Sequence, residues 1–342
     1  MLYALISPFL FLLDAEKAHE KSLFLLDRAY RTGLLGKKNV PDLPCEWMGL
    51  TLKNPIGLAA GLDKNGAFID ALATFGFGFI EVGTVTPRPQ PGNPKPRLFR
   101  LTHENAIINR MGFNNLGVDH LVQNLKKTQY RGILGINIGK NSTTPLEEAI
   151  HDYLICLKKA YLYASYITIN ISSPNTKRLR ELQAREHLSD LLYRLKEAQG
   201  YLTQQYGKYV PLALKIAPDL SKEHIKDIAT LARTLQIDGI IATNTSIDKS
   251  LLSLNNPDLI QQGGISGAPL KEKANNVLTQ LVQELDNSVP VVGVGGITTG
   301  CDALQKLKLG AKAVQLYSGL VYRGPELVAE CVKSCASLQK LL

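Results

Sequence analysis

Eight short apolar runs, spaced so that helices fit between them, constrain this chain more than any other feature. They are PIGLAA (55–60), GFIEVGT (78–84), ILGINIG (133–139), YITINIS (166–172), VPLALKIA (210–217), DGIIATN (238–244), PVVGVGG (290–296) and KAVQLYS (312–318). Apolar strands alternating with helical stretches are the mark of parallel βα units. Eight such units predict an α/β fold of the (β/α)8 TIM-barrel type. A Rossmann sheet is the weaker alternative, because it needs about six strands and no GxGxxG opens a helix after the first run. A chain of 342 residues, 45% of them hydrophobic, has enough apolar material to fill such a core.

Two interruptions stand out. TPRPQPGNPKPR (86–97) is too rich in Pro and Gly for a helix or a central strand and reads as a loop. Beyond it, RLFRL and AIINR flank Thr102 to Asn105 and predict a hairpin over the barrel mouth. Residues 37–54 read as a simple bridge into the barrel.

The start of the chain has a different character. Met1 to Leu13 is almost wholly apolar, but Asp14 ends the run well short of the ~20 residues that cross a bilayer. No Lys or Arg precedes it and no small-x-small site follows, so it does not read as a signal peptide; the acidic Asp14, Glu16, Glu20 and Asp27 argue against a transit peptide. Next, Ala18, Leu25, Leu26, Ala29 and Tyr30 recur at helical spacing among charged residues. Residues 1–36 therefore read as a helical pair distinct from a barrel over 37–342. Such a pair can pack on the core or lie in a membrane interface.

Charge and cysteines narrow the function classes. The net charge is +9, yet no basic run is interleaved with aromatics, so no nucleic-acid partner is expected. Residues 1–40 hold six basic and four acidic side chains, which leaves most of the excess in the barrel. The five cysteines show neither CxxC nor Cys/His spacing, so neither a disulfide framework nor a metal site is expected.

In TIM barrels the chemistry lies at the C-terminal ends of the strands. There the chain places Gly61, Asp63 and Lys64, then Thr84, Asn137, Asn170, Ser172, Ser173 and Asn175. Lys215, Thr243, Asn244, Thr245, Gly295, Gly296, Tyr317 and Ser318 follow on the later strands. Lys215, Asn137 and Asn170 fall inside apolar runs, where burial is costly unless a partner satisfies them. Each alone could be a satisfied core residue; together they favour a shared polar ligand. Gly295-Gly296, Ser318-Gly319 and the GGISG loop (263–267) suit a phosphorylated group, either FMN or a sugar phosphate.

The motifs AAGLDKNG (59–66), EVGTVTPRPQPGNPKPRLFRL (81–101), NRMGFNN (109–115), NISSPNT (170–176), LKIAPD (214–219), ATNT (242–245) and GGISG, with FLLDAEKAHE (11–20), resemble class 2 dihydroorotate dehydrogenases. The likeness covers nearly the whole chain. It implies FMN at the barrel mouth, oxidation of (S)-dihydroorotate to orotate in pyrimidine synthesis, and flavin reoxidation by a membrane quinone.

By the same resemblance Ala60, Gly61, Leu62, Asp63, Lys64, Thr84, Asn137, Asn170, Lys215, Thr243, Gly267, Gly296, Tyr317 and Ser318 contact the flavin. Substrate falls to Lys64, Asn109, Arg110, Met111, Gly112, Phe113, Asn170, Asn175, Asn244 and Thr245, with Ser173 as catalytic base. His19, Arg100 and Tyr317 line the quinone end. Class 1 enzymes carry a cysteine as base, and no cysteine lies between Cys156 and Cys301. The resemblance also implies peripheral attachment to the bilayer surface on the cytoplasmic side of the cell's inner membrane. The residue types suit the chemistry: Lys215 can stabilise negative charge near flavin N1 and O2, and Lys64 can offset the substrate carboxylate. Asn side chains both donate and accept along imide and amide edges. Ser173 needs a relay and a dry site to act as a base.

Overall fold

The computed structural model describes residues 2–36, 38, 40–253 and 257–339. The chain opens with α1 (Leu2–Phe11) and α2 (Ala15–Arg31), followed by the hairpin β1 (Cys45–Trp47) and β2 (Leu50–Leu52). Then come β3 (Ile56–Leu58), α3 (Ile69–Ala73), β4 (Phe79–Val85), β5 (Leu98–Leu101), β6 (Ala106–Asn109), α4 (Val118–Leu125) and β7 (Ile133–Ile138). The middle holds α5 (Ala149–Ala160), β8 (Tyr166–Asn170), α6 (Arg185–Tyr206), β9 (Leu212–Ile216), α7 (Lys222–Thr234) and β10 (Gly239–Ala242). The chain closes with β11 (Gly264–Gly267), α8 (Lys271–Leu285), β12 (Val291–Val294), α9 (Gly300–Lys308), β13 (Ala313–Leu316), α10 (Ser318–Arg323) and α11 (Glu326–Gln339).

Strands β3, β4, β7, β8, β9, β10, β12 and β13 pair in parallel and in that order, and β13 returns to β3 to close the barrel. Each falls on one of the eight apolar runs, with β4 reaching one residue past its run to Val85. Their outward side chains, such as Ile56, Ile80, Ile136, Ile167, Leu214 and Ile240, share one core with the helices. The inward layer at the N-terminal end is aromatic, with Trp47 against Tyr166 at 4.8 Å and Phe79 at 5.8 Å between ring centroids. A Cβ on Gly135 would sit 2.1 Å from the Tyr166 ring, so only glycine leaves room for it.

Two expectations need correction. Residues 37–54 are more than a bridge: β1 and β2 form an antiparallel hairpin that inserts Trp47 into the barrel base. GGISG is not simply a loop either. Gly264–Gly267 is β11, which joins the predicted hairpin of β5 and β6 as a third antiparallel strand. Short Gly-rich strands carry too little apolar signal to be read from sequence. The Pro-rich segment 86–97 has neither helix nor ladder beyond one bridge, Gln90 to Asn115.

The N-terminal pair packs through one side only. Asp14 caps α2 by accepting from the Glu16 and Lys17 amides at 3.1 and 3.0 Å, and Ala18 and Leu23 are buried. Leu5, Phe9 and Leu12 stay 70, 71 and 83% exposed. No helix among the described residues is long and apolar enough to cross a membrane.

Candidate active site

The C-terminal ends of the barrel strands surround a cavity, covered on one side by β11 and the 109–113 segment. Its floor is a polar lattice. Thr84 Oγ1 donates to Asn137 Oδ1 at 2.6 Å, and Asn170 Nδ2 donates to Thr84 Oγ1 and Asn137 Oδ1 at 2.9 and 3.0 Å. Asn137 Nδ2 donates in turn to Glu81 at 2.8 Å. Asn137 is thus hydrogen-bonded by its neighbours, and it is not among the residues that line the cavity.

Glu81, which sequence reasoning passed over, organises this floor. Its buried carboxylate accepts from Asn137, from the Tyr166 hydroxyl at 2.9 Å and from Gln315 Nε2 at 2.7 Å. The signal was present, since Glu81 in FIEVGT and Gln315 in AVQL interrupt apolar runs as Lys215 does. Lys215 is buried and lines the cavity, and burial pulls its ammonium below the usual lysine range while the charge of Glu81 partly offsets that. No carboxylate among the described residues pairs with it, which fits a ligand that carries or gathers negative charge.

At one end of the cavity lie Gly267, Gly295, Gly296, Ser318 and Gly319. Ser318 Oγ donates to Ser266 Oγ at 2.8 Å. A Cβ on Gly296 would sit 2.2 Å from Lys271 Cα, so glycine lets the strand end approach the start of α8. Tyr317 packs over Gly61, and burial pushes its phenol up to about 12.

The other end gathers Lys64, Asn109, Met111, Gly112, Phe113, Ser173, Asn175, Asn244 and Thr245. Asn175 Nδ2 donates to Asn109 O and Oδ1 at 3.0 and 3.3 Å, and Asn244 Nδ2 donates to Ser172 Oγ at 3.0 Å. Ser173 Oγ is buried and accepts from the Asn175 amide at 3.3 Å. Lys64 Nζ donates to Gly61 O at 2.8 Å, and burial pulls its ammonium down to about 8 against the raising effect of Glu16.

Several predicted contacts stand elsewhere. Leu62 is buried in the core, and the Asp63 carboxylate accepts from the Ala67 and Phe68 amides at 3.0 and 2.7 Å, which shapes the loop and faces away from the cavity. The Arg110 side chain also leaves the cavity: it donates to Pro96 O at 2.7 Å and stacks on Phe99. Arg100 caps the C-terminal end of α1, donating to the carbonyls of Leu10, Phe11 and Leu13, with its guanidinium 4.7 Å from the Phe11 ring centroid. His19 does not line the cavity. It reaches the Leu62 backbone, and burial plus the charge of Lys64 push its imidazole down to about 3, so it is neutral at pH 7.

The family model described as dihydroorotate dehydrogenase matches residues 42–340. A Neisseria meningitidis serogroup C protein named dihydroorotate dehydrogenase (quinone) is 58% identical over 335 residues, 98% of this chain and 100% of the relative. The Chromobacterium violaceum protein of the same name is 56% identical over 338 residues, covering 98% of each chain. Among solved structures, ligand-free DHODH from Eimeria tenella superposes with a TM-score of 0.88 at 38% identity, covering 96% of each chain. The ferulenol complex from the same organism also gives 0.88, at 36% identity, over 95% of this chain and 92% of that one.

Proposed function

The chain belongs to the dihydroorotate dehydrogenase family, and we propose that it oxidises (S)-dihydroorotate to orotate in pyrimidine biosynthesis, using FMN reoxidised by a membrane quinone. The observation that carries this reading is the meeting, in one cavity, of the buried Lys215 amine, which no carboxylate among the described residues pairs with, with Ser173 and the amide side chains of Asn109, Asn175 and Asn244 from separate segments.

FMN, when bound, supplies the hydride acceptor that no side chain offers. Gly267, Gly296 and Ser318 would hold its phosphate, and Ala60, Gly61, Thr84, Asn170, Thr243 and Tyr317 would hold the ring and its chain. Lys215 would stabilise negative charge gathered on the bound group. Lys64 pairs with the substrate carboxylate, and Asn109, Asn175, Asn244 and Thr245 read its amide edges. Ser173 Oγ takes the C5 proton as its own hydroxyl proton passes to a water relay at the cavity mouth, so the side chain is neutral before and after the step. Met111, Gly112 and Phe113 close that end and keep water out.

Residues 1–36 form a peripheral membrane anchor and the quinone entrance, with His19, Arg100 and Tyr317 along the path toward the cavity. The exposed Leu5, Phe9 and Leu12 support attachment to the bilayer surface, and the family resemblance puts that surface on the cytoplasmic side of the inner membrane.

The test is anaerobic. Dihydroorotate should bleach the flavin of the purified protein, and a quinone should restore it. Ser173→Ala should still bind orotate yet bleach at least about 100-fold more slowly. Undiminished bleaching in that variant removes the base, and a wild type that dihydroorotate fails to bleach removes the whole reading.

A further inference from the structure

Asn93 lies in the Pro-rich segment and does not line the cavity, yet it holds the segments that do. Its Nδ2 donates to Arg110 O at 2.9 Å and to Asn175 O at 3.1 Å, while its own amide donates to Met111 O at 3.1 Å. It thereby ties the 109–113 segment to the loop that carries Ser173 and Asn175. A Cβ on Gly112 would meet the Asn93 amide group at 2.8 Å, so the two are packed face to face.

Asn93 is held in turn from the N-terminal helices. Arg97 Nη1 donates to Asn93 O at 2.8 Å and to Pro91 O at 2.6 Å. The other edge of the same guanidinium grips Glu16 of α2, with Nη2 to Oε1 at 2.8 Å and Nε to Oε2 at 3.1 Å. Both side chains are buried. Burial pushes the Glu16 carboxyl up, but its bonds to Arg97 and Lys95 outweigh that and hold it below the usual range, so it stays ionised. A charged fork fixed at both edges transmits position, because turning it would break several charge-assisted bonds at once.

We propose that Asn93 is a positioning residue of the pyrimidine site, and that the Glu16–Arg97 pair makes its placement depend on the seating of α2. The helical pair then sets affinity for the pyrimidine as well as access for the quinone. This rests on the assignment of Asn109 and Asn175 to substrate.

The experiment uses full-length, flavin-loaded protein in detergent with no quinone present, so the quinone path does not enter. Orotate is titrated against the flavin absorbance, and dihydroorotate is used for single-turnover reduction. Asn93→Ala and Glu16→Gln should each raise the orotate Kd about tenfold, with the limiting rate of reduction within about threefold of wild type. Because both act through one chain of contacts, the double variant should fall short of the product of the two single effects. A merely structural role would lower melting temperature or flavin content and leave the Kd of the flavin-bound fraction unchanged. Asn93→Ser provides a milder variant if the alanine protein does not fold. A Kd within twofold of wild type for either site, or full multiplicativity in the double variant, overturns the coupling. A wild type that does not respond to orotate or dihydroorotate overturns the substrate assignment itself.

Discussion

Lys64 stands at the end of the cavity proposed for substrate, with its Nζ donating to the Gly61 carbonyl. Burial brings its ammonium down to about 8, so the charge that would pair with a carboxylate is present below that pH and lost above it. Orotate affinity should therefore hold steady from pH 6 to 7 and weaken as the pH rises through about 8. A bound anion moves the midpoint upward, since it favours the charged form. The measurement is the orotate Kd from pH 6 to 9, and the Lys64→Met protein should show a weaker Kd with no such slope. A wild-type Kd that is flat over this range means that another group carries the carboxylate. His19 cannot supply the change, because its imidazole is already neutral there.

At the scale of elements, α1 offers the clearest separation of roles. Tyr3 donates to Val321 O, Arg100 caps the carbonyl end, and the Phe11 and Tyr322 rings meet edge to face at 5.6 Å, so one side of the helix is docked. Leu5 and Phe9 project from the other side and touch little. Leu5→Glu with Phe9→Glu should cut binding to phospholipid vesicles by about tenfold or more, since each apolar side chain contributes about 1.5–3 kcal/mol on burial. Reduction of a water-soluble quinone should stay within about threefold, as should thermal stability. Unchanged co-sedimentation with vesicles would move the membrane contact elsewhere.

The same scale explains what could be read in advance. Eight apolar runs named the barrel because strands buried on both faces need continuous hydrophobicity, and Lys215 announced itself by breaking one. Glu81 broke another, but its inward direction depends on pairing with β7, which exists only once the barrel closes. The Glu16–Arg97 pair joins positions 81 apart, and no local pattern links them. Arg110 and Asp63 sit inside matched motifs, yet their side chains turn away, because a motif fixes the backbone path more firmly than each rotamer.

At the scale of the molecule, function occupies one end of the barrel and closure the other. The cavity requires the strand ends at its mouth to be held apart around polar groups, so stability has to come from the base, where β1 and β2 insert Trp47 at 1% exposure between Phe79 and Tyr166. Trp47→Ala should cost about 3–5 kcal/mol through the cavity left behind, lowering the melting temperature by roughly 4–8 °C. Trp47 Nε1 is buried without a hydrogen-bond partner among the described residues, so the indole N–H is itself a penalty that the fold carries. Trp47→Phe removes that donor and keeps most of the ring, and should cost less than half as much as alanine. Differential scanning calorimetry of the flavin-loaded proteins separates the two. An alanine shift under about 2 °C would show that the hairpin does not close the barrel energetically. Equal losses for Phe and Ala would show that the indole N–H finds a partner in solution, for example a water at the barrel base.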